Sequence, residues 1–314
     1  MAARRPASRK PGFSRQRLIL NLIVVGVLLA LWLFNAYRSG DSVAVEEAPP
    51  VSGVTTPDQS CKVLPDSTLR FTTWNIANLG RSKSDAELAD ITQVLRDCDL
   101  VAVQEVSTSE AGAQAVARLD DLLDRTGAQW DYTLSDPTAG EGRERYAFLW
   151  KASRVQRIGD GWLEPTLAPA LDREPFLARF AFRGRRLLVA NFHAVPADKD
   201  PASEIRHLDR LHDYYASEHL LVVGDFNLAQ HAEAFDDLKA QGYAPVLADQ
   251  RTTLRMKVAE DGHLANAYDN IFFEPSALRI HQAGVVDFTG QYPSLEAARD
   301  ISDHLPVYAA IGWR

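Results

Sequence analysis

A series of short apolar runs in this chain each begins or ends on side chains that bind metal ions or move protons. Residues 70–74 lead to Asn75, 100–103 to Gln104 and Glu105, 186–190 to Asn191, Phe192 and His193, and 220–224 to Asp225, Phe226 and Asn227. Nearer the C-terminus the order inverts. Tyr268, Asp269 and Asn270 precede residues 271–273, and Ser302, Asp303 and His304 precede residues 305–311. Carboxylate and amide oxygens suit a hard divalent cation, Mg²⁺ first and Mn²⁺ or Ca²⁺ as alternatives, rather than an ion that seeks thiolates. Hydrolysis of a phosphodiester needs charge neutralisation, an activated water and a proton for the leaving oxygen, which a cation and two imidazoles can supply.

Taken singly, each of these groups is ordinary: a Gln-Glu-Val or Tyr-Asp pair is common in structural roles, and a lone histidine is more often a satisfied core residue than a catalyst. Asp303 beside His304 at the mouth of an apolar strand is more telling, because neither packs comfortably in a core.

Something must carry these groups to one place. The apolar runs, together with residues 146–150, read as covered strands. Ser84 with Glu87 is a capping signature, followed at helical spacing by Leu88, Ile91 and Leu95. Leu119, Leu122 and Leu123 predict a second helix, residues 204–215 a third, and residues 232–240 a short fourth. Alternation of this kind specifies an α/β class and a sheet whose rim collects the strand ends.

The chain has 314 residues, 46% hydrophobic and 24% charged, which fits one catalytic-sized domain with an appendage. Residues 18–37 are apolar and uncharged, long enough as a helix to cross a hydrocarbon layer of ~30 Å. Arg4, Arg5, Arg9, Lys10, Arg15 and Arg17 precede them. The positive-inside rule then places residues 1–17 as a basic cytoplasmic tail, 18–37 as a transmembrane signal anchor, and everything beyond on the periplasmic or extracellular side. A cleavable signal peptide shares the basic start but wants a shorter apolar region and a small-x-small site directly after it. Residues 38–66, with Pro49, Pro50, Pro57 and Pro65, read as a flexible linker, and 67–314 as the domain. Cys61 and Cys98 would both be exported, where a disulfide between them would persist. The formal charge of −8 argues against clamping nucleic acid by the whole surface, although a bound cation can reverse the local field.

Taken together, residues 69–311 resemble the endonuclease/exonuclease/phosphatase superfamily, and deoxyribonuclease I-like members most. The motifs arrive in that family's order, joined by Glu144-Arg145-Tyr146, Arg173-Glu174-Pro175, His193 with Pro196, Glu204-Ile205, and Thr252-Thr253 ahead of Ala267. The resemblance implies a four-layered α/β sandwich, two packed β-sheets flanked by helices. It also implies roles. Glu105 would be the main metal carboxylate, assisted by Asn75 and Asp303; Asp225 and Asn227 would position the attacking water or the phosphate. His193 would pair with Glu144 and His304 with Asp269, while Arg173, Asn75 and Tyr268 would face the substrate. Which histidine is base and which acid stays open, and Asp225 is a third candidate for base.

The resemblance has gaps. Deoxyribonuclease I-like members enter the minor groove with a basic residue just after Gln-Glu-Val and a tyrosine shortly before the Glu144 position; Ser107 and Gly142 stand there instead. The expectation is a membrane-anchored, metal-dependent phosphodiesterase, a nuclease acting on DNA outside the cytoplasm. A sphingomyelinase-like or inositol-phosphate hydrolase of the same superfamily, and a catalytically silent binding protein on the same scaffold, are the alternatives. No protein partner can be inferred.

Overall fold

Strands β3 (Leu100–Val106), β5 (Arg145–Lys151) and β9 (Leu220–Asp225) are buried along nearly their whole length. A strand covered on both faces reads as a continuous apolar run instead of an alternation, which is how these segments look in the sequence. The computed structural model describes residues 66–314 and the backbone of Val54–Thr55. The expected cytoplasmic tail, the anchor at 18–37, Cys61 and nearly all of the linker lie outside the described residues. Among the described residues, no helix is long and apolar enough to cross a membrane.

Two mixed sheets form the domain. The first runs β1 (Val54–Thr55), β14 (Leu278–Val286), β15 (Val307–Trp313), β2 (Leu69–Leu79), β3, β5 and β4 (Trp130–Leu134). The second runs β10 (Ala244–Pro245), β13 (Asp269–Phe273), β9, β8 (Arg185–His193), β7 (Phe176–Phe182) and β6 (Val155–Leu163). A two-stranded ribbon, β11 (Leu254–Ala259) with β12 (Gly262–Leu264), stands apart.

The short β1 pairs in parallel with β14, and two pairs of consecutive strands, β2 with β3 and β8 with β9, are also parallel, each of which requires a crossover. Helix α1 (Asp85–Leu95) supplies the first. Its Ser84 cap is closed by Glu87 in a capping box, worth about 1 kcal/mol, and it buries Leu88, Ile91 and Leu95. The second crossover departs from expectation, because residues 204–215 do not form one helix. They split into α3 (Pro201–Ile205) and α4 (Arg210–Tyr214). Between them the amides of His207, Leu208 and Arg210 bond carbonyls three residues back, and Asp209 caps the restart by accepting from the Arg210 amide at 2.8 Å. The capping preference of Asp has overridden the helical period.

A single apolar cluster joins helices α1 and α2 (Glu110–Asp124), the first sheet and the inner face of the second. Between the sheets, Phe148 on β5 stacks on Phe176 and meets Phe180 edge-on, with centroids 5.4 and 5.3 Å apart. A second cluster packs the other face of the second sheet against Ile205, Leu208, Leu211, Phe235 and Leu238, the last of these on α5 (Asp236–Ala240). Helices therefore flank both sheets. One polar bridge crosses the interior: Gln104 Nε2 donates to Asn191 Oδ1 at 2.5 Å, and the Asn191 amide donates to the Val103 carbonyl. The two strands that end at the site are thus locked together.

Candidate active site

Register aligns the functional side chains before any side-chain contact is considered. On the second sheet His193 pairs with Asp225 across β8 and β9, and Asp225 pairs with Asp269 across β9 and β13. On the first sheet Asn75 pairs with Gln104, while His304 lies just before β15, whose Val307 pairs with Thr73 on β2. Parallel strands end, and antiparallel strands begin, at this one rim, which is where a sheet leaves backbone and side chains free for a ligand.

Two local devices turn the chain at the rim. Glu105 sits at φ +60°, where the register of β3 slips against both neighbours, and the bulge re-aims its carboxylate. Gly224 has φ +135°, and a Cβ there would lie 1.8 Å from the Phe192 carbonyl oxygen, so only glycine lets β9 run this close to β8 before Asp225.

At the centre is the Asp225 carboxylate, fully buried. Its Oδ2 lies 3.4 Å from His193 Nε2 and 3.5 Å from His304 Nε2, and accepts from Asn75 Nδ2 at 3.1 Å. Its Oδ1 accepts from the Asn227 amide at 2.9 Å. Each imidazole has a separate carboxylate behind it. His193 Nδ1 meets Glu144 Oε2 at 2.9 Å; His304 Nδ1 meets Asp269 Oδ2 at 2.9 Å, and Thr252 donates to that same oxygen at 2.6 Å.

The charges follow from these contacts. Burial disfavours the imidazolium of His193, but Glu144 and Asp225 outweigh it and raise its pKa. For His304 burial is again opposed by Asp269 and Asp225, which push it up to about 10. Asp225 is held below the usual carboxylate range: burial works against the charge, and His304 and His193 win. Asp269 goes the other way, to about 6, because burial and the like charge of Asp225 exceed what His304 returns. At neutral pH the rim therefore holds an ionised Asp225 beside a protonated His304, while Glu144 and Asp225 favour the charged form of His193.

Glu105 lies beside this relay. Its Oε1 accepts from Asn75 Nδ2 at 3.0 Å and its Oε2 from the Asn78 amide at 2.9 Å. Burial raises its pKa, but His193, Asn75, Asn78 and His304 together lower it below the ordinary value. Asn75 Oδ1, completely buried, finds no donor among the described residues. An orphaned carbonyl oxygen next to an ionised carboxylate is a pair of hard-ion ligands, so Glu105 and Asn75 fit a divalent cation. Ligand atoms of Asp225, Asp269 and His304 also lie within 4.8 Å of one another. There, however, both ring nitrogens of His304 already face carboxylates, an arrangement better suited to relaying protons.

The remaining expected residues fall as follows. Asn227 donates from its side chain to the Ala194 carbonyl at 3.1 Å. Tyr268 is half-buried at the edge, and its carbonyl accepts from the Phe226 amide. The Asp303 carboxylate is turned to Arg299 at 3.2 Å and makes no hydrogen bond to Glu105 or Asn75 among the described residues. Arg173, expected to face substrate, is instead 7% exposed; it donates to Glu144 and to the carbonyls of His193 and Ala194. This places it behind His193, holding the ring's carboxylate and backbone together. Among the other histidines, His263 pairs with Asp287 at 2.7 Å, and His231 lies exposed, 3.8 Å from Asp249.

Three contributors carried no assigned role in the sequence reading. Thr252 orients Asp269, Tyr146 accepts the His193 amide at 3.2 Å, and Ser302 donates to the Asn75 carbonyl at 2.6 Å while accepting from the His304 amide. Hydroxyls of this kind give no periodic signal; only their position beside the motifs marked them. Gly142 also has a local cause. Its amide donates to Asp172 at 2.8 Å, and a Cβ would meet that carboxylate at 2.5 Å, so the loop wrapped around Asp172 has no room for a side chain.

Comparison with known proteins agrees with this geometry. The model of the Endonuclease/Exonuclease/phosphatase family matches residues 72–304. A protein named deoxyribonuclease from Thioalkalivibrio sp. (strain K90mix) is 34% identical over 262 residues, covering 76% of this chain and 70% of that one. The fold resembles that of a family protein from Bacteroides thetaiotaomicron, with a TM-score of 0.59 at 16% identity over 78% of this chain and 97% of the other. It also resembles D. rerio TDP2 solved with a single-strand DNA product, with a TM-score of 0.56 at 17% identity over 78% and 99%. Motif order, rim geometry and these matches agree: the chain belongs to the endonuclease/exonuclease/phosphatase family and is one of its phosphodiester hydrolases.

Proposed function

We propose that the chain is a divalent-metal-dependent nuclease that hydrolyses phosphodiester bonds of DNA, held to a membrane by residues 18–37 with its domain on the periplasmic or extracellular side. The observation that carries the chemistry is the pair of imidazoles, each with its own carboxylate, facing one ionised Asp225 beside Glu105 and the orphaned Asn75 oxygen. The relative named deoxyribonuclease supports DNA as the substrate. The basic flank and the uncharged apolar segment support the anchor.

Glu105 and Asn75 would hold the cation, which when bound neutralises charge on the phosphate and polarises its oxygens. The protein's own groups move the protons. Asp225, kept ionised by its neighbours, orients the attacking water and accepts its proton, with His193 fixed beside it by Glu144. His304, whose proton Asp269 and Asp225 retain at neutral pH, donates to the departing oxygen. Asn227, at φ +49°, presents its amide to Asp225 and keeps that carboxylate from turning away.

The test is a panel of plasmid DNA, RNA, sphingomyelin and an inositol phosphate, each incubated with Mg²⁺ and with chelator. DNA cleavage that chelator abolishes is the expected result. Turnover of lipid or inositol phosphate with DNA intact would replace the substrate assignment, and no turnover of any of them would favour a silent binding protein. Glu105→Gln should raise the Mg²⁺ concentration for half-maximal rate, and an unchanged titration would remove Glu105 from the cation site.

A further inference from the structure

The loop between β2 and α1 carries a lysine that the chemistry so far does not use. Lys83 is 6% exposed, and its ammonium donates to the Asp300 carbonyl at 2.7 Å. Asp300 lies in the last turn of α6 (Leu295–Ile301), directly before Ser302, Asp303 and His304. The carbonyls of a last helical turn lack partners within their own helix, and a cation is the natural cap for them. The negative charges of Glu87, Glu105, Asp303 and Asp300 attract the ammonium and oppose the burial that lowers its pKa.

The near end of Lys83 is equally constrained. Its amide donates to the Gly80 carbonyl at 3.1 Å, and within the same turn Ser82 Oγ donates to the Asn78 carbonyl at 2.5 Å. Asn78 in turn gives its amide to Glu105, so the turn that holds Lys83 also fixes the carboxylate proposed as a cation ligand. The residues after α6 are also bonded to this strand: Ser302 Oγ donates to the Asn75 carbonyl at 2.6 Å and accepts from the Ala77 amide at 3.4 Å, and Trp74 Nε1 donates to the His304 carbonyl at 2.8 Å. Those bonds hold residues 302 and 304. Lys83 holds the helix end that feeds into them, from the far side of the loop.

We propose that Lys83 is a positioning residue, a strap that sets His304 at its working distance from the Asp225 and Glu105 side of the rim by tying Asp300 to the β2–α1 turn. This rests on the proposed hydrolytic role of that rim. It requires no contact of Lys83 with substrate, so loss of the strap acts on turnover and not on substrate affinity. It also sets a sign for metal binding. Removing a cation from beside Glu105 cannot weaken attraction for another cation, so affinity for the metal should stay the same or rise.

The experiment compares the full chain with K83M, which keeps the length of the side chain without its charge, and K83R, which keeps a cationic donor. Expected for K83M are a kcat lower by about 10-fold or more, in keeping with the sensitivity of proton transfer to small displacements, and a KM for DNA within about twofold. Mn²⁺ affinity by calorimetry should be undiminished, and amide exchange should be faster in both the 78–83 turn and the 300–304 segment. K83R should recover at least half of the lost kcat. A raised KM with normal kcat would overturn the proposal in favour of a substrate contact, and faster exchange with normal kcat would reduce Lys83 to fold support. Failure of K83M to fold, with K83R unable to restore turnover, would do the same. If the unmodified chain turns over no phosphodiester, the proposed function fails, while exchange coupled between the two segments still decides whether the strap exists.

Discussion

Glu144→Gln changes one atom type at a position where three buried groups meet. Glu144 is 6% exposed, Arg173 7% and His193 4%. Glu144 Oε2 lies 2.9 Å from His193 Nδ1 and 3.3 Å from Arg173 Nη1. Gln preserves the shape and removes the charge, which has two separable effects. The first is on stability. Breaking a buried ion pair and leaving one partner charged costs about 3–5 kcal/mol, and Arg173 keeps two carbonyl acceptors, so the lower end applies, about 3 kcal/mol. For a domain of this size that is a fall in melting temperature of about 6–12 °C. The second effect is on catalysis. Without Glu144 the His193 ring loses the carboxylate that fixes its tautomer and raises its pKa, and kcat should fall by about 10²–10⁴-fold. The proton on His193 would then be lost at lower pH, so the corresponding limb of the pH–rate profile should move toward acid. Thermal melting and plasmid relaxation across pH, at saturating metal, read both effects. A folded variant within about threefold of the normal rate, with an unmoved profile, would refute the assignment of Glu144 and His193 as a working pair.

Other consequences follow from single contacts. His304→Ala should reduce turnover by about 100-fold or more with an intact fold; a near-normal rate would remove the proton donor assigned above. Gly224→Ala forces a Cβ to within 1.8 Å of a backbone oxygen at φ +135°, so it should melt well below the unmodified domain, and equal melting would contradict the strand approach at the site. The His263–Asp287 pair predicts a pH dependence of stability. The Asp287 hydrogen bond raises the pKa of His263 against burial, so that contribution is complete below about 6.5 and fades as pH rises through the folded value. Burial raises the pKa of Asp287, but bonds from His263 and Thr289 overcome this and lower it, so its contribution is complete above about 3.9 and fades as pH falls through the folded value. Asp287→Asn should therefore lose more stability at pH 5.5 than at pH 9, and the opposite order in melting curves would sink the linkage.

Much of the architecture could be read before any coordinates. Runs such as residues 100–103 and 220–223 announce strands covered on both faces, because they are continuous, rich in β-branched valine and too short for a buried helix. The Ser84 and Glu87 box marked the start of α1 correctly, since capping is a contact between residues three apart. The break between α3 and α4 was missed for the opposite reason. Apolar spacing at Ile205, Leu208 and Leu211 continues across it, while the Glu204 carboxylate is drawn to the amides of Asp172 and Val195, distant in sequence.

For the site, chain order and residue type determined which groups gather: strand ends deliver their terminal side chains to one rim, and that follows from local pattern. What each group does there was decided only by tertiary packing. Asp303 turns to Arg299, Arg173 settles behind His193, Asp225 comes between two imidazoles, and Lys83 reaches Asp300. Each of these depends on distances of a few ångströms between segments far apart in the chain, and the free energy of a charge depends on what surrounds it, which no run of neighbouring residues can specify.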